Sequence, residues 1–175
     1  YWRYRPVGFN RNFVWVVRSV LESRNGLLID VGANIGDGIA LLRGEGFQVP
    51  MLAIEGADVW FELLKKNTEQ FASVWLEKVL LGTDEPQQSV ELYVHDGTSQ
   101  LVKSDRGVEI TTLDAVMQRH TEYPVALVKT DTDGFDLKVL KGARVLLASQ
   151  KPVVFAAVDD GLIAEEGDRE EDLVA

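Results

Sequence analysis

The sequence contains no cysteine. That absence removes disulfide frameworks, cysteine-ligated zinc or iron–sulfur centres, and every reaction that begins at a thiolate. It is compatible with a reducing compartment, and a cytoplasmic location is the expectation. Histidine is scarce, with only His95 and His120. Neither has an acid or nucleophile close by in sequence, so an exposed position or a helix C-terminus suits them better than catalysis. Long apolar runs are missing too: Arg18, Glu22, Arg24 and Asp30 interrupt the most hydrophobic stretch, well short of the roughly 20 residues that cross a bilayer. No membrane partner is expected. Basic charge is also short. Of the net charge of −10, positions 159 to 175 hold −7, eight acids against Arg169, and the remaining body carries only −3. Duplex nucleic acids require a basic footprint, so no nucleic-acid partner is expected.

What is present is a chain of 175 residues, 46% hydrophobic and 26% charged, a size and balance that bury a core in one domain. It begins at Tyr1 and ends in a charged run, which points to an excised domain. Residues 1–26 read as an aromatic and basic arm followed by one amphipathic helix, in which Phe13, Val16, Val17, Val20 and Leu21 recur at helical spacing until Asn25 and Gly26. Residues 27–160 read as the core, and 161–175 as an acidic tail. Within the core, short apolar runs alternate with helical patterns, the sequence form of an α/β domain with a parallel sheet. The expected strands are Leu27 to Val31, Met51 to Ile54, Val74 to Leu81, Val125 to Thr130 and Val153 to Val158. The expected helices span 36–43, 57–67, 113–119 and 135–148. Between the third and fourth strands, Val90, Leu92 and Val94 alternate with polar residues and Gly97 follows, which predicts a β-hairpin insertion.

Ligands of open α/β sheets bind beyond the carboxyl ends of the strands. Those ends are acidic here. The first closes with Asp30, Gly32, Asn34, Gly36 and Asp37, where glycine permits close backbone approach. The second closes with Glu55, a carboxylate suited to accept both hydroxyl hydrogens of a ribose. A dinucleotide fingerprint is incomplete, because its third glycine would fall on Leu41, and Asp30 and Asp37 would face a pyrophosphate. The pattern DxGxxxG with a following acid suits a phosphate-free nucleoside that carries positive charge, as S-adenosylmethionine does. The plainer reading of the loop acids is that they favour a helix N-terminus. Trp60, Phe61 and Trp75 fall at core-like spacing and read as packing, with an aromatic near Glu55 placed to border an adenine.

Four segments, LLIDVGANIGDG, LAIEGADVWFELLKKN, TTLDAV and LVKTDTDGFDLKVLKGA, carry a resemblance over about Leu27 to Asp160. The sequence is similar to the FkbM-type family of S-adenosylmethionine-dependent methyltransferases. Lys129, Asp131 and Gly134 agree with the family pattern, Asp133 stands where glutamate is usual, and Asp159 also replaces a common glutamate. The resemblance implies a Rossmann-like class I methyltransferase fold: a mostly parallel sheet flanked by helices, with the hairpin insertion. The closing C-terminal strands are expected to be missing, since 161–175 is too short and acidic to form both. It implies S-adenosyl-L-methionine as cofactor and methyl transfer to a hydroxyl of a small molecule, often a sugar or secondary metabolite. The cofactor-binding candidates are Asp30, Gly32, Asn34, Gly36, Asp37 and Glu55.

Methyl transfer is an in-line displacement, so catalysis needs alignment and a base for the hydroxyl proton. The base candidates are Asp131, Asp133 and Asp159, with Asp160 behind them; Asp133 and Asp136 equally suit the first turn of a helix. Lys129 lies two residues before Asp131, on the same side of a strand, and could pair with it. No spacing demands a metal, and none is expected. A degenerate domain with a binding or assembly role and an NAD-dependent oxidoreductase are the competing readings. An unpaired sheet edge would also invite a second copy, so a homo-oligomer is among the expectations.

Overall fold

The computed structural model describes residues 9–83, 90–95, 98–103 and 110–157. Helix α1 (Phe9–Ser23) leads into β1 (Leu27–Val31), α2 (Asp37–Gly44), β2 (Met51–Ile54), α3 (Asp58–Thr68) and β3 (Val74–Glu77). A short β4 (Leu80–Leu81) follows, then the hairpin β5 (Val90–His95) and β6 (Thr98–Lys103), and β7 (Ile110–Thr111). The chain returns through α4 (Leu113–Met117) to β8 (Val125–Thr130), α5 (Asp136–Lys141), α6 (Arg144–Gln150) and β9 (Val153–Ala156).

Five strands form one sheet in the order β3-β2-β1-β8-β9, and every pairing in it is parallel. Parallel strands are buried on both faces, which is why β1, β2 and β8 are near-continuous apolar runs. Leu27, Ile29, Val31, Leu52, Ile54 and Val128 face one core with Leu113, Val116, Val139 and Leu146. Leu28, Met51, Ala53 and Leu127 face a second core with Phe13, Val17, Ile39, Leu42 and Leu64. The domain is therefore three layers, with α1 to α3 on one side and α4 to α6 on the other. The predicted amphipathic helix is α1: Phe13, Val17 and Val20 are its buried stripe, and Phe13 stacks on Phe155 of β9 at 5.8 Å between ring centroids.

The expected strand 74–81 is two strands. β3 stops at Glu77, whose carboxylate takes Arg119 at 2.9 Å and His120 at 2.8 Å, while β4 leaves the main sheet to pair with β7 through Leu80↔Ile110 and Leu81↔Thr111. The expected helix 135–148 is also divided, into α5 and α6. Gly142 sits at the break, where a Cβ would strike the carbonyl oxygen of Gly82. Its own carbonyl accepts the Asp114 N–H at 3.0 Å. Asp114 completes the break by accepting the N–H groups of Val145 and Leu146 at 2.8 Å each, a cap for α6 supplied from another helix. The antiparallel hairpin β5–β6 forms as predicted, in the register Val90↔Lys103 to His95↔Thr98. Of the aromatic and basic arm expected over 1–10, Phe9 and Asn10 open α1, while residues 1–8, Val158, Asp159, Asp160 and the tail expected to lack the closing strands lie outside the described residues.

Candidate functional site

The chain builds β1, β2 and β3 outward and then places β8 on the other side of β1. The strand order thus reverses between β1 and β8, the place where such sheets open a crevice. The turn leaving β1 is laid across the end of β2: the N–H groups of Gly32 and Ala33 both donate to the Ile54 carbonyl, at 3.0 and 3.1 Å. The turn leaving β8 is tied to β1 by the Asp131 N–H, which donates to the Val31 carbonyl at 3.1 Å. Gly32 has φ 74°, and a Cβ there would strike the Asp131 carbonyl oxygen. Gly32→Ala is accordingly expected to cost about 2–4 kcal/mol, strain plus backbone collision. Urea unfolding measures it, and a loss well under ~1 kcal/mol would mean that the two turns are not in obligatory contact.

A cleft opens above these turns. Gly32, Asn34, Glu55, Trp60, Asp131 and Asp133 are among its lining residues, and it encloses about 80 Å³. Glu55 is buried at 8% exposure. One of its oxygens accepts the Asn34 N–H at 2.9 Å and the other the Ala57 N–H at 2.8 Å. Burial pushes the Glu55 carboxyl above the usual range, only partly opposed by the hydrogen bonds from Ala57, Asn34 and Gly56. Asn34 itself has φ 47°, a left-handed conformation that asparagine tolerates better than most residues.

Of the predicted cofactor residues, Gly32, Asn34 and Glu55 reach the cleft wall, whereas Asp30, Gly36 and Asp37 do not line it. Gly36, at φ 86°, is the turn into α2. Asn67 pins this turn by donating its side-chain amide to the Ile35 carbonyl at 2.8 Å. Asp37 is exposed at the first position of α2, which suits its charge. Asp30 points to the α1–α2 side of the sheet, at 2% exposure, and receives a 2.8 Å hydrogen bond from Lys129 Nζ.

Of the predicted bases, Asp131 and Asp133 both line the cleft. Asp131 is half-buried, and burial raises its carboxyl above the ordinary value against the lowering effect of Lys129; Asp30, Asp136 and Asp133 add to the rise. Asp133 has φ 49° and precedes Gly134 at φ 100°, so the turn ending the β8 segment holds two left-handed residues in succession. Asp136 opens α5, fully buried. Asp159 falls outside the described residues. Among the described residues no group of three or more acids and histidines could hold a metal ion.

Sequence reasoning did not pick out Gly56, Val79, Leu80 and Thr132, which also line the cleft. Gly56 was findable as the residue after the second strand-ending acid: a Cβ there would run into the Leu80 side chain. Trp60 was read mainly as packing, with the adenine border as the alternative, and it stands on the cleft wall. Phe61 and Trp75 do pack, against the α1–α3 core and the α4–α6 core respectively. His120 follows α4 and bonds Glu77, a partner invisible to local spacing.

Comparison with known proteins fits this geometry. A family model described as the methyltransferase FkbM domain matches residues 30–172. Among solved structures, the human methyltransferase 10 domain containing protein aligns with 98% of this chain and 73% of its own, at 18% identity and a TM-score of 0.50. A SAM-dependent methyltransferase from Thiobacillus denitrificans, solved with S-adenosyl-L-homocysteine, aligns with 90% of this chain and 55% of its own, at 11% identity and a TM-score of 0.39. The first likeness is one of fold. No curated protein sequence matches the chain.

Proposed function

The chain belongs to the FkbM methyltransferase domain family, whose methyl donor is S-adenosylmethionine, and from that premise we propose that it methylates a hydroxyl of a small molecule such as a sugar or secondary metabolite. The observation that carries this reading is the meeting of Glu55 and Asp131 in one cleft at the switch between β1 and β8. The residues present fit the donor. Glu55 offers a carboxylate acceptor on the cleft wall to a ribose diol, and the Gly32 turn, cradled where a side chain has no room, brings bare backbone to the ligand. The enclosed 80 Å³ is less than the ~300–1,000 Å³ of a pocket that surrounds a small ligand.

S-adenosylmethionine, when bound, supplies an electrophilic methyl on sulfur. Glu55 would hold the ribose, Trp60 and Leu80 on the cleft wall would exclude water from its apolar side, and Asp131 would accept the proton of the acceptor hydroxyl, the sulfur leaving as the thioether S-adenosylhomocysteine. A carboxyl raised by burial is a better base than an exposed one, provided it stays ionised at working pH. Asp133, beside it on the cleft wall, is the second polar contact offered to the acceptor.

Calorimetric titration with S-adenosylmethionine, S-adenosylhomocysteine and NADH tests the donor. Binding of the adenosyl ligands without NADH is expected. Binding of NADH alone would replace the reading with an oxidoreductase, and binding of none by folded protein would leave a degenerate domain. Methyl transfer to a hydroxylated acceptor panel then tests the finer claim, and turnover confined to amines or carboxyls would overturn it. The same titration has a signed pH dependence. Because the Glu55 carboxyl is raised, acidification protonates it at a higher pH than the ~4.3 of a free glutamate, and one oxygen becomes a donor. Affinity for S-adenosylhomocysteine is expected to fall on acidification before that value is reached. An affinity that stays flat through this range, in protein that circular dichroism shows folded, would remove Glu55 from the ribose.

A further inference from the structure

Lys129 is at 6% exposure in the middle of the molecule, an expensive place for an ammonium unless opposite charge meets it. It stands in register with Asp30 across the β1–β8 ladder, and its Nζ lies 2.8 Å from Asp30 and 3.6 Å from Asp131. The two carboxylates differ in kind. Asp30 is sealed, with its side chain 2% exposed, and Asp131 opens to the cleft with 40% exposed. The Phe13 ring, 6.0 Å from Nζ, closes the side towards α1. Attraction to Asp30 and Asp131, with Asp37 behind them, outweighs the burial that would otherwise lower the ammonium and leaves it raised, so it is charged throughout the neutral range.

We propose that Lys129 is the positioning residue of the methyl-transfer site, a buried cation anchored on Asp30 that holds Asp131 ionised and aimed into the cleft. The inference rests on the reading of Asp131 as the base. Its physical logic is an anchor and a lever. The short contact to Asp30 fixes the ammonium on the cofactor-side strand, and the longer contact steers a carboxylate that must stay free to meet a hydroxyl. The acids that face Asp131 are Asp30 from β1, Asp133 from its own turn and Asp136 from α5, and all three oppose its ionisation. Among the described charged groups that act on it most strongly, Lys129 favours the carboxylate. A lysine two residues along a strand from the base, on the same face, therefore sets the protonation state on which proton removal depends.

The test is the titration of the Asp131 side-chain carboxyl carbon by NMR, assigned by comparison with Asp131→Asn, in the wild-type chain and in Lys129→Met. Loss of an opposite charge at this range is expected to raise the Asp131 midpoint by about one unit or more. Since Lys129→Met strands Asp30, the Asp30→Asn/Lys129→Met double variant is measured beside it. There too the midpoint is expected to rise, because the ammonium removed lies 3.6 Å from the Asp131 carboxylate. An Asp131 midpoint unchanged or lowered in the variants that fold overturns the proposal, since a lysine serving only to neutralise Asp30 would leave Asp131 alone. S-adenosylhomocysteine titration of the wild-type chain separates this from the functional reading: absence of binding there sinks the donor site, whatever Asp131 does.

Discussion

Replacing Glu55 with alanine is expected to weaken S-adenosylhomocysteine binding about 100-fold or more. Two hydroxyl hydrogens would lose a charged acceptor, and bonds of that kind contribute roughly 1.5–3 kcal/mol each. The variant also removes the acceptors of the Asn34 and Ala57 N–H groups, so part of the effect reaches the ligand through a loosened turn. Glu55→Gln does not rescue it. With the amide oxygen turned to Ala57, the NH₂ meets the Asn34 N–H, donor against donor; turned the other way, it meets Ala57. Both variants should therefore bind far more weakly than the wild-type chain while their far-UV circular dichroism stays native, since the sheet on either side of β2 is untouched. Calorimetry decides it, and a loss of only a few-fold in Glu55→Ala would place the ribose elsewhere.

The second large effect concerns stability. Lys129→Met leaves Asp30 with its charge buried and its cation gone, a change that typically costs about 3–5 kcal/mol. At the ~2–4 °C per kcal/mol usual for a chain of this size, the Tm is expected to fall by roughly 10 °C. The Asp30→Asn/Lys129→Met double variant should recover much of that, because it removes the stranded charge as well. A double-mutant cycle reads the coupling directly. The raised Lys129 pKa fixes the sign of the pH dependence: the pair's contribution is complete below the unfolded lysine value near ~10.4 and fades as pH climbs through the folded value above it. A Tm within about 2 °C of wild type would show the ion pair to be dispensable.

The parts of the fold that depend on short-range pattern were readable from residues alone. β1, β2 and β8 announce themselves as LLIDV, MLAI and VALVKT, because a strand covered on both faces needs apolar residues throughout. The α1 stripe through Phe13, Val17 and Val20 follows from helical period. The two misdrawn elements share a cause of another kind. Nothing local in 135–148 says that Gly142 must press against Gly82, or that Asp114 will cap Val145 and Leu146. Nothing in VWLEKVLL says that Glu77 will meet His120 and Arg119 or that Leu80 will pair with Ile110. In the candidate site, the place of Glu55 on the cleft wall was legible because it follows directly on β2, beside the switch in strand order. Asp30 was read as a cofactor contact from its place in the loop, whereas its partner on β8 is a matter of sheet order, which sets it beside Lys129.

The small parallel pairing of β4 with β7 has an evolutionary consequence. By setting Leu80–Leu81 beside Ile110–Thr111, it makes the chain leave the core and re-enter it at nearly one point. Because closure entropy grows only slowly with loop length, lengthening the segment between adds little further cost. The hairpin is thus a cassette. Its length and composition can be exchanged between descendants of this scaffold without moving a strand of the central sheet, while its stem, through Leu80 and Leu81, remains part of the cleft wall. Change in the hairpin can proceed beside the cleft while the strands that carry the cleft keep their register.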